Sequence, residues 1–154
     1  MPYNIPALYN TEIESFLSAY SLPHFLGVFS SNNIPRNLPK TCVFICNLSN
    51  DYQIGTHFIT IAKVDTQLFV LDSLALNMAS DTLLKKLAHI SNTYTHLKSP
   101  IQSGTSQACG LFCIFFVLLF HSASHCSLIK FNTTHLQCND NICIQNIKTL
   151  LRNI

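Results

Sequence analysis

At 154 residues and 17.3 kDa the chain is expected to form one domain, 1–154, with enough mass for a sizeable core. Apolar residues make up 48% and charged residues 10%, with a mean hydropathy of +0.28, a composition that excludes intrinsic disorder. The net charge of +2 comes from nine Lys/Arg scattered along the chain against seven Asp/Glu, so no concentrated nucleic-acid footprint stands out.

The opening "MPYNIPALYNTEIE" is polar and acidic, which predicts no secretory signal. "TEIESFLSAY", Thr11 to Tyr20, follows with Thr11 and Glu14 spaced as a capping box, and predicts a short helix. "HFLGVFSSNNIPRNLP" is punctuated by Gly, Asn and Pro and reads as a connection. "TCVFICNL" (41–48) is β-branched and apolar and predicts a buried strand. "GTHFITIAK" (55–63) and "LFVLDSL" (68–74) flank the turn signal "VDTQ" and predict a two-stranded hairpin. Ser80 or Asp81 then caps a helix over "TLLKKLAHIS", and "THLKSPIQ" (95–102) reads as a further strand. Cys109 to about His121 predicts a helix apolar on every side, hence buried. Its apolar run, Leu111 to Phe120, is shorter than the roughly 20 residues a membrane span needs, so no membrane partner is expected. Asp140 caps a last helix over "NICIQNIKTLLRNI". The fold class expected is α+β: a mostly antiparallel central sheet, helices packed around it, and a buried central helix beginning at Cys109.

Two places can carry chemistry. A hairpin turn centred on Asp65–Thr66 sets His57 opposite Leu74, which puts Asp72 on the same face as a diagonal neighbour of the imidazole. A carboxylate there fixes the histidine tautomer and stabilises imidazolium, although a His and an Asp on one sheet face often meet without function. Cys109 sits at a helix start, where the partial positive charge favours thiolate. The small polar loop before it, "SGTSQA", can turn backbone N–H groups toward an oxyanion, and Gln102 offers a side-chain amide. The bland alternative, a small buried cysteine, suits Cys113 better than Cys109. Of the seven cysteines, Cys42, Cys46 and Cys143 read as packing, and the odd number predicts mostly reduced thiols in an intracellular setting. "H-x3-H-C-x8-H-x2-C", formed by His121, His125, Cys126, His135 and Cys138, is a second, non-enzymatic candidate as a zinc cluster, though its spacing matches no standard finger. His24, His89 and His96 read as surface or core-edge residues.

The order His, acid, Gln, Cys resembles the adenovirus maturation proteases (adenains) and their relatives in Polinton- and adintovirus-type elements. The resemblance runs from about Leu22 to Phe116 and rests on "HFLGVF", "GTHF", "FVLDSLA" and, most specifically, Q-x6-C-G-L-F-C. It implies the adenain/ubiquitin-like-protease fold, with Cys109 as nucleophile, His57 as general base, Asp72 as the orienting acid and Gln102 as oxyanion donor. Phe58 stands where the family pattern has tryptophan, and Asp72 where many adenains have Glu. The resemblance further implies a thiol endopeptidase that processes viral capsid or core precursors at glycine-containing sites during virion maturation. Its place would be the virion and the host cell interior, in the nucleus. No cofactor is required on this reading; DNA or a peptide stays open as an activator. A disulfide-linked peptide is not expected, because no cysteine lies between Leu87 and Ile101. Related folds cleave ubiquitin-like modifiers, which is the second enzymatic reading.

Overall fold

The computed structural model describes residues 5–48, 57–76, 81–91, 93–122 and 128–154. Within them five strands and four α-helices make up an α+β arrangement. The strands are β1 (Phe25–Ser30), β2 (Thr41–Asn47), β3 (Phe58–Val64), β4 (Gln67–Leu71) and β5 (Thr95–His96), and they lie in the sheet in chain order. The helices are α1 (Asn10–Ser18), α2 (Asp81–Ala88), α3 (Cys109–His121) and α4 (Asn139–Leu151). The sheet is mixed rather than mostly antiparallel. β2–β3 and β3–β4 are antiparallel, but both outer pairings, β1–β2 and β4–β5, are parallel.

The central strands are buried on both faces, which explains their unbroken apolar runs. Val43 and Ile45 of β2 and Phe58 and Ala62 of β3 belong to one core with α1, α3 and α4. The alternate residues Phe44, Cys46, Ile59 and Ile61 face a second core closed by Leu83 and Leu87 of α2. The molecule is therefore three layers, with α3 lying along the sheet. Gly110 and every residue from Phe112 to Leu118 are buried. A buried aromatic cluster ties the chain beyond α3 back onto it: Phe131 meets Phe112 and Phe115 with ring centroids 5.6 and 5.3 Å apart. Truncating Phe112, fully buried there, would cost about 3–5 kcal/mol.

Three local expectations change. The stretch expected as a connection contains β1; Gly27, at φ +128°, sits where the β1–β2 register shifts between Phe25 and Val28. The expected strand 95–102 is only Thr95–His96. The first helix starts earlier than expected, with Tyr9 as its N-cap, and Glu12 rather than Glu14 reaches back: the Tyr9 N–H donates to the Glu12 carboxylate at 2.7 Å. Ser80, and the Gly55 and Thr56 of "GTHF", lie outside the described residues.

Candidate active site

β3 and β4 are joined by the two-residue turn Asp65–Thr66, with Asp65 at φ 55°. Thr60 faces Leu71 and Ile61 faces Val70, the register that carries His57 toward Leu74 just beyond the strand ends. The His57 carbonyl accepts the Leu48 N–H at 2.9 Å, which pins His57 to the end of β2. Asp72 follows β4 directly and opens a turn whose own amides hold its carboxylate. The Leu74 N–H donates to Oδ1 at 2.9 Å and the Leu76 N–H to Oδ2 at 3.2 Å. Oδ1 also lies 2.7 Å from His57 Nε2, with both side chains nearly buried.

Cys109 is the first residue of α3. The Cβ face of β3 that carries Phe58, Thr60 and Ala62 packs on this helix, and the Thr60 hydroxyl donates to the Cys113 carbonyl one turn below Cys109 at 3.5 Å. The start of β3 therefore lies against the start of α3, close enough for His57 and Cys109 to shift each other's ionisation. Nε2 of His57 is committed to Asp72, which leaves Nδ1 for the thiol. Gly110 permits the close approach of the N-terminal segment here: a Cβ on it would stand 2.9 Å from the Ile13 side chain and 3.2 Å from Leu8 Cβ.

Charge follows from this geometry. Burial opposes ionisation of His57, but the hydrogen bonds and negative charges of Asp72 and Cys109 outweigh it and raise its pKa to about 9. Burial likewise disfavours a Cys109 thiolate; the His57 contact and the Phe58 and Gly110 amides overcome that and pull its pKa below the ordinary thiol value. The same balance, burial against His57 and the Leu74 and Leu76 amides, lowers Asp72. Cys113 is the contrast, since burial pushes its pKa well above the ordinary value.

Gln102 is buried beside this cluster. Its Oε1 accepts the Ser73 hydroxyl at 2.6 Å and its Nε2 donates to the Ser106 carbonyl at 2.9 Å. Gln102, Gln107, Cys109 and His57 all line one cleft of about 210 Å3, walled on its other sides by Leu74 and by Ala7 and Leu8 of the N-terminal segment. The structure thus gathers the four residues singled out in the sequence, with Asp72 behind His57.

Other residues at the site carried no such signal. Ser106 donates to Asp140 Oδ2 at 2.7 Å and accepts the Ala108 N–H at 3.1 Å, so the first turn of α4 anchors the loop before Cys109. Asp140 is not the cap of α4, because the N-cap position is Cys138; the helix begins one residue before the aspartate. The cap reading was the stronger local signal, and only the tertiary contact reveals Ser106 as a partner. Ala7 and Leu8 precede the first periodic segment and likewise had nothing to mark them.

Of the alternative zinc cluster, His125 and Cys126 lie outside the described residues. His121 faces the Val117 carbonyl through Nδ1 at 2.9 Å and the His24 N–H through Nε2 at 3.3 Å, so neither ring nitrogen is left for a metal. Among the described residues no group of three or more His, Cys, Asp or Glu side chains is placed to hold one. Nor is any described helix long and apolar enough to cross a membrane.

No family profile matches the chain. Over 129 aligned residues it is 30% identical to the protein named Protease of ovine adenovirus D serotype 7 (isolate OAV287), an alignment that takes in 72% of this chain. The chain spans 64% of that relative's length, so what it shares with the viral protease is a distant similarity over the larger part of both proteins.

Proposed function

We propose that the chain is a thiol endopeptidase of the adenain type, in which Cys109 attacks, His57 moves the proton, Asp72 orients His57 and Gln102 holds the oxyanion. The observation that carries the reading is the Asp72–His57 pair at 2.7 Å beside Cys109 at a helix start, on a cleft that His57, Cys109 and Gln102 all line. The similarity to a viral protein named Protease supports it.

The chemistry follows from the groups present. The Cys109 proton passes to His57, and the thiolate sulfur adds to the carbonyl carbon of a peptide bond. The carbonyl π pair moves onto oxygen. An amide nitrogen carries two hydrogens; one on Gln102 Nε2 goes to Ser106, and the second, with the Cys109 backbone N–H, meets the new negative charge. Collapse re-forms the carbonyl and breaks the C–N bond, and the leaving amine takes its proton from His57. Water then gives a proton to His57 and its oxygen to the thioester carbon, and Cys109 departs as the thiolate. Asp72 stays ionised throughout and keeps Nδ1 aimed at the sulfur.

The narrow cleft suits substrates with little side-chain bulk at the cleaved bond, which agrees with glycine-containing sites. The biological role that fits is processing of viral capsid or core precursors during virion maturation, within the virion and the infected cell, with DNA or a peptide as an optional activator. The test is hydrolysis of quenched fluorescent peptides carrying Gly-Gly or Gly-Ala at the scissile bond, alongside a ubiquitin-like modifier precursor. Cleavage of the glycine peptides, lost in Cys109→Ala, is expected. Cleavage confined to the modifier would move the substrate class, and turnover undiminished in Cys109→Ala would sink the mechanism.

A further inference from the structure

We propose that Ser73 is a positioning residue for the oxyanion side of the site, a role that rests on the peptidase reading above. Ser73 adjoins Asp72 in sequence and reaches the opposite half of the site. Its backbone carbonyl accepts the Ile101 N–H at 2.9 Å and the Gln102 N–H at 3.0 Å, and its hydroxyl donates to Gln102 Oε1 at 2.6 Å. Three hydrogen bonds therefore join one serine to Gln102 and the residue before it, two accepted by its carbonyl and one donated by its hydroxyl. Ser73 and Gln102 are each only 1% exposed, so water does not supply a substitute partner.

The orientation of a glutamine amide decides whether it can help. An oxyanion needs N–H, and a flipped amide would present a second negative oxygen. The Ser106 carbonyl, 2.9 Å from Nε2, repels a flipped Oε1, and the Ser73 hydroxyl stabilises the oxygen on the other side. The dipeptide Asp72–Ser73 thus orients the imidazole with one residue and the amide with the next, so a shift of the turn after β4 moves both halves together. Asp72 acts on the proton carrier; Ser73 acts only on charge that appears in the transition state.

A double-mutant cycle on the full chain separates this role from plain structural support. With a Gly-Gly quenched peptide as probe, Ser73→Ala should lower kcat about tenfold at nearly constant KM. In a Gln102→Ala background the same change should have almost no effect, because the group it orients is gone. Ser73→Thr, which keeps the hydroxyl, should recover most of the rate. Iodoacetamide alkylation of Cys109, which develops no oxyanion, should proceed at the wild-type rate in Ser73→Ala. Additive losses from Ser73→Ala and Gln102→Ala, or slowed alkylation in Ser73→Ala, would overturn the positioning role while leaving the peptidase reading intact. A wild type that turns over no peptide would overturn the two together.

Discussion

At the scale of single residues, the protonation states of His57 and Cys109 make the sharpest forecast. A thiolate held by an imidazolium exists between the lowered pKa of Cys109 and the raised pKa of His57, about 9. Cys109 should thus alkylate with iodoacetamide near neutral pH, where an ordinary thiol with a pKa of about 8.5 is mostly protonated. Buried Cys113 and Cys46, the latter pushed up to about 12 by burial, should stay unlabelled in the folded protein. Peptide mapping after a short exposure checks this, and equal labelling of every thiol would refute it. The two glutamines give a second contrast. Both line the cleft, but Gln102 is fixed by Ser73 and Ser106. Gln102→Ala should lower kcat by roughly 10²–10³ with KM little changed, and Gln107→Ala should cost much less. The reverse ranking would mean that the wrong amide has been assigned. The candidate residues were legible because each carries chemistry at a telling spacing: a cysteine at a helix start, a histidine and an acid in hairpin register. Ser73 was not, since a buried serine acquires meaning only from the partner that folding brings to it.

At the scale of elements, the loop between β5 and α3 is held from behind by α4. Ser106 is the hinge of that arrangement, bonded at once to Asp140, to the Ala108 amide and, through its carbonyl, to Gln102. Among the described residues Asp140 Oδ1 is buried without a partner, so within them the carboxylate is held chiefly through Ser106. Asp140→Asn keeps the shape but weakens a charge-assisted bond, and Ser106→Ala removes both side-chain bonds. The Ser106 change should destabilise the domain by about 1–3 kcal/mol, with the Asp140 change smaller, both read from denaturant midpoints. Both should lower kcat more than they raise KM, because the loop frames the oxyanion position; a pure KM effect would disconnect α4 from the site. Element types in the middle of the chain were readable because period and burial agree there: β2 is apolar on both faces because both are covered. β1 was not readable. Gly27 bends that strand at a positive φ, and a glycine followed by Ser, Asn and Pro carries the same local signal as a loop. The parallel outer pairings were hidden for a related reason, since strand direction at an edge is set by the path of the connection and not by the residues of the strand.

At the scale of the whole molecule, the site and the core pull stability in the same direction as pH rises. His57 binds its proton more tightly folded (about 9) than unfolded (about 6.5), so its contribution is complete below about 6.5 and is lost as pH climbs through about 9. The buried thiols add to this. Cys42, Cys46, Cys113 and Cys143 are held neutral by burial, whereas the unfolded chain ionises them above about 8.5, so the folded state loses ground there. Cys109 works the other way: its lowered pKa adds stability as pH rises toward the unfolded thiol value of about 8.5, which softens the His57 loss below that pH. Beyond it the four buried thiols and His57 together outweigh Cys109. On the acid side Asp72, lowered by its partners, holds its contribution above about 3.9 and loses it as pH falls through its folded value. The domain should therefore be most stable between about pH 4 and 6.5. Its Tm, followed by circular dichroism in the presence of reductant, should fall gently to pH 9 and steeply beyond. His57→Asn should flatten the segment between 6.5 and 9 and leave the alkaline fall in place, because that fall belongs to the core cysteines. A Tm that climbed from pH 6 to 9 in the wild type would mean that the imidazole is not held protonated by its neighbours, and the ion-paired form of the site would have to be abandoned.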